Sequence, residues 1–233
     1  IERLNEVHGI GAKRIAKIRE SWEKQKDIKN VMLFLQGHGV STAFAAKIYR
    51  EYGKESVSKV QENPYRLADD IWGIGFKTAD GIASRMGYGK DDPRRVRSGI
   101  LYTLGQLADE GHCFATDEQL LGTAAELLDV GEEAIGAVLA DMSGADDVIT
   151  DGEAIYLPPF HYAECGVARR LLALRNGNGS LFSEDEPELP RGEGIVYDET
   201  QLEAVRLALK SKVMVLTGGP GTGKTTTTKA IIG

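Results

Sequence analysis

Residues 218–225 read Gly-Gly-Pro-Gly-Thr-Gly-Lys-Thr, and few backbone paths accommodate that octet. The apolar run Val213-Met214-Val215-Leu216 precedes it, and Thr226-Thr227-Thr228-Lys229-Ala230-Ile231-Ile232 follows. A strand, a glycine turn and a helix in that order make the G-x-x-x-x-G-K-T phosphate loop. Gly219, Gly221 and Gly223 carry no side chain, so backbone N–H groups can approach an anion closely. The helix starting near Lys224 turns its positive end toward the same point. In this scheme Lys224 meets the β- and γ-phosphates of ATP and Thr225 ligates Mg²⁺, which makes both the expected catalytic residues. Pro220, Thr222 and Thr226 complete the expected nucleotide contacts of the loop.

A second constraint is an internal repeat within residues 1–90. Three stretches place an apolar residue in a tight glycine turn and follow it with helically spaced apolar positions. The turns are Gly9-Ile10-Gly11, Gly39-Val40-Ser41 and Gly73-Ile74-Gly75. Val31-Met32-Leu33-Phe34-Leu35 and Pro64-Tyr65-Arg66-Leu67-Ala68 fall in helices expected before the second and third turns. This is the plan of the helix-hairpin-helix motif, which these segments resemble. Ile10, Val40 and Ile74 are expected to plug into the core, leaving the turn amides outward to hold consecutive phosphates of a nucleic-acid backbone. Lys13, Arg14, Lys77 and Thr78 stand just beyond the second glycine, where they would add to that hold. Ser41 replaces the second glycine in the middle repeat, which puts its phosphate contact in question.

Charge sharpens the division. The net charge is −7. Residues 1–100 carry an excess of 6 positive charges and residues 101–233 an excess of 13 negative ones. A polyanion is therefore expected on the N-terminal part. At 233 residues, 42% hydrophobic and 27% charged, the chain suits two or three small globular domains. No apolar run approaches the ~20 residues of a membrane span, and no signal-peptide pattern opens the chain. Cys113 and Cys165 form no metal or redox motif; buried thiols in a reducing, cytoplasmic setting are expected. His112 and His161 stand alone in the sequence and are expected at the surface or satisfied in the core.

Asp91-Asp92-Pro93 breaks the repeat. The periodicity then predicts an amphipathic helix over Arg94–Glu110, with Val96, Ile100, Leu101, Leu104 and Leu107 on one face. A short strand is expected at residues 111–115, then a helix capped by Thr116, with Gln119 at the box position. A further helix is expected from Gly131 to Met142. Two strands joined by Asp151-Gly152-Glu153 complete the order of a winged-helix domain. The helix that would enter a DNA groove carries Glu132, Glu133 and Asp141 and neither Lys nor Arg, so this segment is expected to be structural or to face a protein partner.

After a helix expected from Phe160 to Leu174, glycine, proline and acidic residues dominate to Gly194, the composition of a linker. Gln201 then sits on a helix, Leu202 to Leu209, ahead of the phosphate loop. It resembles the adenine-reading glutamine of superfamily 1 and 2 helicases, whose carboxamide both donates to and accepts from the base.

Hairpin repeats, a winged-helix-like segment and the phosphate loop, in this order, resemble the RecD-like superfamily 1 DNA helicases of the long stand-alone type, related to the exodeoxyribonuclease V alpha subunit. The specific stretches are Asn63-Pro64-Tyr65-Arg66-Leu67 leading to Gly73-Ile74-Gly75-Phe76-Lys77-Thr78-Ala79-Asp80, and Leu216 to Thr225. The expected fold is mainly α. Residues 1–92 form a tandem helix-hairpin-helix bundle, 93–175 a winged-helix-like segment, 176–194 a linker, and 195–233 the start of a RecA-like α/β domain. The resemblance implies an ATP- and Mg²⁺-dependent motor moving 5′ to 3′ on single-stranded DNA or on a junction with a single-stranded tail. The acidic magnesium motif and the arginine that senses γ-phosphate are expected after Gly233, so the chain alone is not expected to turn over ATP. Two alternatives stay open at this stage: a non-enzymatic nucleic-acid-binding adaptor, and a phosphate-loop DNA motor of another class.

Overall fold

The computed structural model describes residues 12–177 and 196–232. The Gly9-Ile10-Gly11 turn and most of the expected linker lie outside the described residues. The protein is mainly α, and it divides into two compact units, Ile1–His161 and Tyr162–Gly233.

In the first unit, α1 (Ala12–Gly37) runs unbroken for 26 residues. Helix was expected around residues 12–18 and again at 31–35, and α1 carries both. They fuse because Arg19 to Asn30 contains no glycine or proline to stop propagation. Its second half buries Val31 and Leu35. α2 (Thr42–Tyr52) starts where the Ser41 hydroxyl accepts a hydrogen bond from Phe44 N at 3.3 Å. α3 (Ser56–Glu62) and α4 (Arg66–Asp70) carry the chain round to α5 (Phe76–Arg85). Here Asn63 Oδ1 accepts from Tyr65 N at 3.1 Å and turns the chain between α3 and α4.

α6 (Pro93–Asp109) has Pro93 at its first turn and Asp92 as its cap, the carboxylate accepting from Arg94 N at 2.9 Å. Its buried face is the expected one, Val96, Ile100, Leu104 and Leu107, with Leu101 half-buried. A Cβ at Gly99 would come within 2.5 Å of Leu128 Cδ2, so glycine there lets α6 and α7 (Asp117–Leu128) approach closely. α8 (Glu132–Gly144) follows. β1 (Ala115–Thr116), β2 (Ile149–Asp151) and β3 (Ala154–Tyr156) form an antiparallel sheet in the order β1-β3-β2, with Ile155 opposite Ala115 on one side and Thr150 on the other. The strand expected over 111–115 is confined to Ala115–Thr116; Gly111, with φ of +98°, turns the chain just before it. One continuous buried cluster runs from Val31 to Ile155 and spans the hairpin helices, α6 to α8 and the sheet.

α9 (Pro158–Asn176) extends two residues beyond the expected helix at each end and buries no residue fully. Cys113 and Cys165 are exposed, not buried as expected. Cys113 falls in the turn before β1, and Cys165 lies on this uncovered helix. His112 is exposed, and the His161 ring lies 5.2 Å from that of Tyr156. Among the described residues no helix is long and apolar enough to cross a membrane, and no three His, Cys, Asp or Glu side chains cluster to hold a metal ion.

The second unit contains α10 (Glu199–Lys210) and α11 (Lys224–Ile232), with Val205, Thr227 and Ala230 buried. Val213 to Leu216 were expected to form a strand. Among the described residues they pair with nothing, and Val215 is 81% exposed. A strand is defined by its neighbours' hydrogen bonds, and the local sequence supplies only the propensity.

Candidate functional site

The second and third hairpins are built alike. Gly39 and Gly73 take φ of +78° and +93°, angles that glycine adopts without the Cβ clash other residues meet. Val40 and Ile74 behind them are 5% and 3% exposed, plugging the core as expected. The turns close with Val40 N donating to Leu35 O at 3.0 Å and Ile74 N donating to Ile71 O at 2.9 Å. Gly39, Ser41, Gly73 and Gly75 are all exposed. Exposure is not the same as freedom: the Arg85 guanidinium lies on Gly39, 1.6 Å from where a Cβ there would stand, and the expected outward amides of Gly39, Val40 and Ile74 donate instead to Gln36 O, Leu35 O and Ile71 O.

The second glycine position is different in kind. Gly75 has φ −95° and ψ 175°, an ordinary extended cap, and a Cβ built there meets nothing within 4 Å. Ser41 occupies the matching place at φ −63° and ψ 154°. Serine therefore preserves the turn. It also engages an α2 amide with its own hydroxyl, whereas Gly75 leaves the α5 terminus without a side-chain cap. Lys77 and Thr78 are exposed on the first turn of α5, with the Lys77 ammonium 6.0 Å from the Tyr102 ring centroid. Lys13 and Arg14 are exposed at the start of α1.

The two hairpins are tied together reciprocally, a feature sequence reasoning missed. Lys47 Nζ of α2 donates to Trp72 O at 3.1 Å, and Arg85 of α5 donates to His38 O at 3.3 Å. His38 and Trp72 each directly precede the positive-φ glycine of their turn. Each repeat thus supplies a cation to the other repeat's turn carbonyl. Such pairs lie 25 and 47 residues apart, and no local pattern announces them.

The Asn63-Pro64-Tyr65 and Asp80 stretches meet in space. Tyr65 OH donates to Asp80 Oδ1 at 2.9 Å, and Arg95 grips both Asp80 oxygens at 2.8 and 3.1 Å. Arg95 also donates to Leu128 O at 2.7 Å, linking α5, α6 and the end of α7. Burial, and then the bond to Asp80, push the Tyr65 hydroxyl well above the usual phenol range.

In the second unit the phosphate loop curls back from Leu216 to α11. Gly221 and Gly223 have φ of +80° and +75°. The Thr222 hydroxyl donates to Gly219 O at 2.9 Å. Lys224 Nζ lies against the Gly218 and Gly219 carbonyl oxygens at 2.6 and 2.7 Å. Pro220 and Thr225 are exposed, and Thr226 is half-buried. Gln201 completes a capping box on α10: its N–H donates to Asp198 Oδ1 at 2.8 Å, and its Oε1 accepts from Asp198 N at 3.1 Å. Its Nε2 faces the loop, 2.3 Å from where a Cβ on Gly223 would stand. Gln201, Thr217, Gly218, Thr222 and Lys224 line one cavity of about 280 Å³. The structure therefore brings Gln201 and the loop to one place, 17 residues after the glutamine in sequence.

Residues 24–114 match the model of the ATP-dependent RecD2 DNA helicase HHH domain, and residues 201–233 match that of an AAA domain. An ATP-dependent RecD2 DNA helicase of Deinococcus radiodurans is 30% identical over 249 residues, covering 99% of this chain and 34% of the relative. The matches support a RecD-like helicase N-terminal portion. The chain spans about a third of the length of this RecD2 relative. The RecD2 hairpin-domain match takes in the second and third turns and the whole of α5 and α6, the two helices that Asp80 and Arg95 join.

Proposed function

We propose that the chain supplies a sequence-independent DNA-binding module and the ATP phosphate loop of an ATP-dependent DNA helicase that moves 5′ to 3′ on single-stranded DNA. One observation carries this reading: Lys224 is held by two carbonyl oxygens of its own loop, Gly218 and Gly219. An ammonium kept in that place is balanced by weak dipoles, and phosphate oxygens are better partners for it. ATP and Mg²⁺ fit the residues present. The Thr227 and Thr228 hydroxyls donate to helix carbonyls at 3.1 and 2.8 Å, whereas the Thr225 hydroxyl is exposed and makes no such bond among the described residues. In this reading Thr225 ligates magnesium, Lys224 is the phosphate cation, and Gln201 is the adenine contact. Gly219, Gly221, Thr222 and Gly223 supply backbone amides to the phosphates, with Pro220 stiffening the loop's entry.

On the N-terminal side, the Gly39–Ser41 and Gly73–Gly75 turns hold backbone phosphates, the third more strongly because its helix terminus is uncapped. Gly9, Gly11, Lys13 and Arg14 extend the same grip. The polarity follows from the family resemblance. The acidic α8, with Glu132, Glu133 and Asp141 exposed, faces protein rather than DNA.

The test is ATP hydrolysis by a chain as long as the RecD2 relative. Hydrolysis rises with single-stranded DNA and vanishes in Lys224→Ala. Equal hydrolysis with and without DNA contradicts the helicase reading.

A further inference from the structure

The third hairpin carries an aromatic side chain that its fold does not use. Trp72 is 91% exposed, although it sits beside Gly73 in a turn whose other apolar members, Ile71 and Ile74, are 4% and 3% exposed. At the matching place in the second hairpin, His38 is tucked in. Its Nδ1 lies 2.8 Å from Phe34 O, and its ring lies tilted against that of Phe34, 4.5 Å between centroids. The same turn can therefore fold its aromatic inward, and in the third hairpin it does not.

One cation stands beside Trp72, and the exposed Asp69 and Asp70 precede it in the chain. Lys47 Nζ stands 5.1 Å from its ring centroid while donating to its own carbonyl, and the same ammonium lies 5.5 Å from the Phe44 ring. The ammonium covers one side of the indole, and the high exposure leaves the rest open to solvent. Next to it lie the exposed Gly73 and Gly75 and the uncapped start of α5. An open aromatic face beside a cation and free helix-terminal amides matches one ligand chemistry: a flat base attached to a phosphate.

We propose that Trp72 is a stacking platform for an unpaired base of single-stranded DNA whose backbone lies along the Gly73–Gly75 turn. This rests on the phosphate-holding reading of that turn. Inside a duplex every base has both faces stacked and only the two end pairs expose one, whereas a single strand can offer the indole a face at each nucleotide. Lys47 then has two roles. It fixes the turn through Trp72 O, and it sits where the phosphate next to the stacked base would pass. The base identity is not read, because every base has a face to stack.

The chain has two tryptophans, Trp22 and Trp72. In a Trp22→Phe background Trp72 is the sole indole reporter. The 233-residue chain is titrated with a fluorescently labelled 12-nucleotide oligothymidylate, an abasic oligomer of equal length, and a blunt duplex. Trp72 emission is expected to be quenched by oligothymidylate and left unchanged by the abasic oligomer and the duplex. Trp72→Ala is expected to weaken oligothymidylate binding by about tenfold or more while leaving abasic binding as it was, and Trp72→Phe to retain most of it. Far-UV circular dichroism confirms that the exposed substitution leaves the fold intact. Equal quenching by abasic or duplex probes, or unchanged affinity in Trp72→Ala, overturns the stacking proposal while the phosphate reading stands. Failure of the abasic and thymidylate oligomers alike to bind the parent chain overturns both.

Discussion

At the scale of single residues, the two glycines of the third turn have unlike jobs, and substitution separates them. Gly73 is required by its backbone: alanine there keeps the φ of +93° at a cost of about 1–2 kcal/mol, since its Cβ meets only ordinary contacts, Lys47 Nζ at 3.5 Å and Phe44 at 3.7 Å. Gly75 has room and an ordinary φ, but it caps α5, where alanine is poorer than glycine, so Gly75→Ala costs about 0.5 kcal/mol, less than the change at Gly73. Urea unfolding of the two variants checks the contrast. Arg95 is the residue whose loss reaches furthest. Its guanidinium, with a side chain only 13% exposed, holds Asp80 and the Leu128 carbonyl together. Arg95→Ala leaves a largely buried carboxylate without its cation and is expected to cost about 2–3 kcal/mol, read as a lower urea midpoint at unchanged slope.

At the scale of elements, local signals explain most of what was legible. The turn glycines, the plugs Val40 and Ile74, the Thr116 cap, the buried stripe of α6 and the Asp151-Gly152 hairpin are all short-range patterns, and each folds as its neighbours in sequence dictate. What escaped depends on distant partners. The Lys47 and Arg85 ties cross between repeats, the exposure of Trp72 follows from where the second repeat packs, and residues 213–216 have strand propensity without a ladder partner among the described residues. Element junctions also set an acid limit. Hydrogen bonding from Arg94 holds the Asp92 carboxyl below its usual range, and Arg97 does the same for Asp147 where α6 meets the start of the β2 hairpin. A carboxylate with a lowered folded pKa contributes stability above its unfolded value, about pH 4, and loses it as pH falls through the folded one. Burial raises Asp69, which acts in the opposite sense. The net expectation is a urea midpoint that is flat from pH 7 to pH 5 and falls below pH 4. Asp92→Ala lowers stability at pH 7 by about 1 kcal/mol through loss of the α6 cap.

At the scale of the whole molecule, both proposed activities use one device, glycine turns whose amides meet phosphate, and salt reports on the DNA half. With two or three backbone phosphates held, log affinity for a single strand falls with log salt at a slope near −2, about tenfold between 50 and 200 mM. A salt-independent affinity would mean that phosphates are not the ligand. The most direct measurement is a backbone-amide chemical-shift map of the ¹⁵N-labelled chain, titrated with Mg²⁺-ATP and, separately, with the abasic oligonucleotide. The account predicts that Mg²⁺-ATP moves the amides of Gly219 and of Gly221 to Thr225, and that the oligonucleotide moves those of Gly73 to Thr78 and, more weakly, Gly39 to Thr42. Shifts that leave these turns still and gather instead on α8 or α9 contradict it.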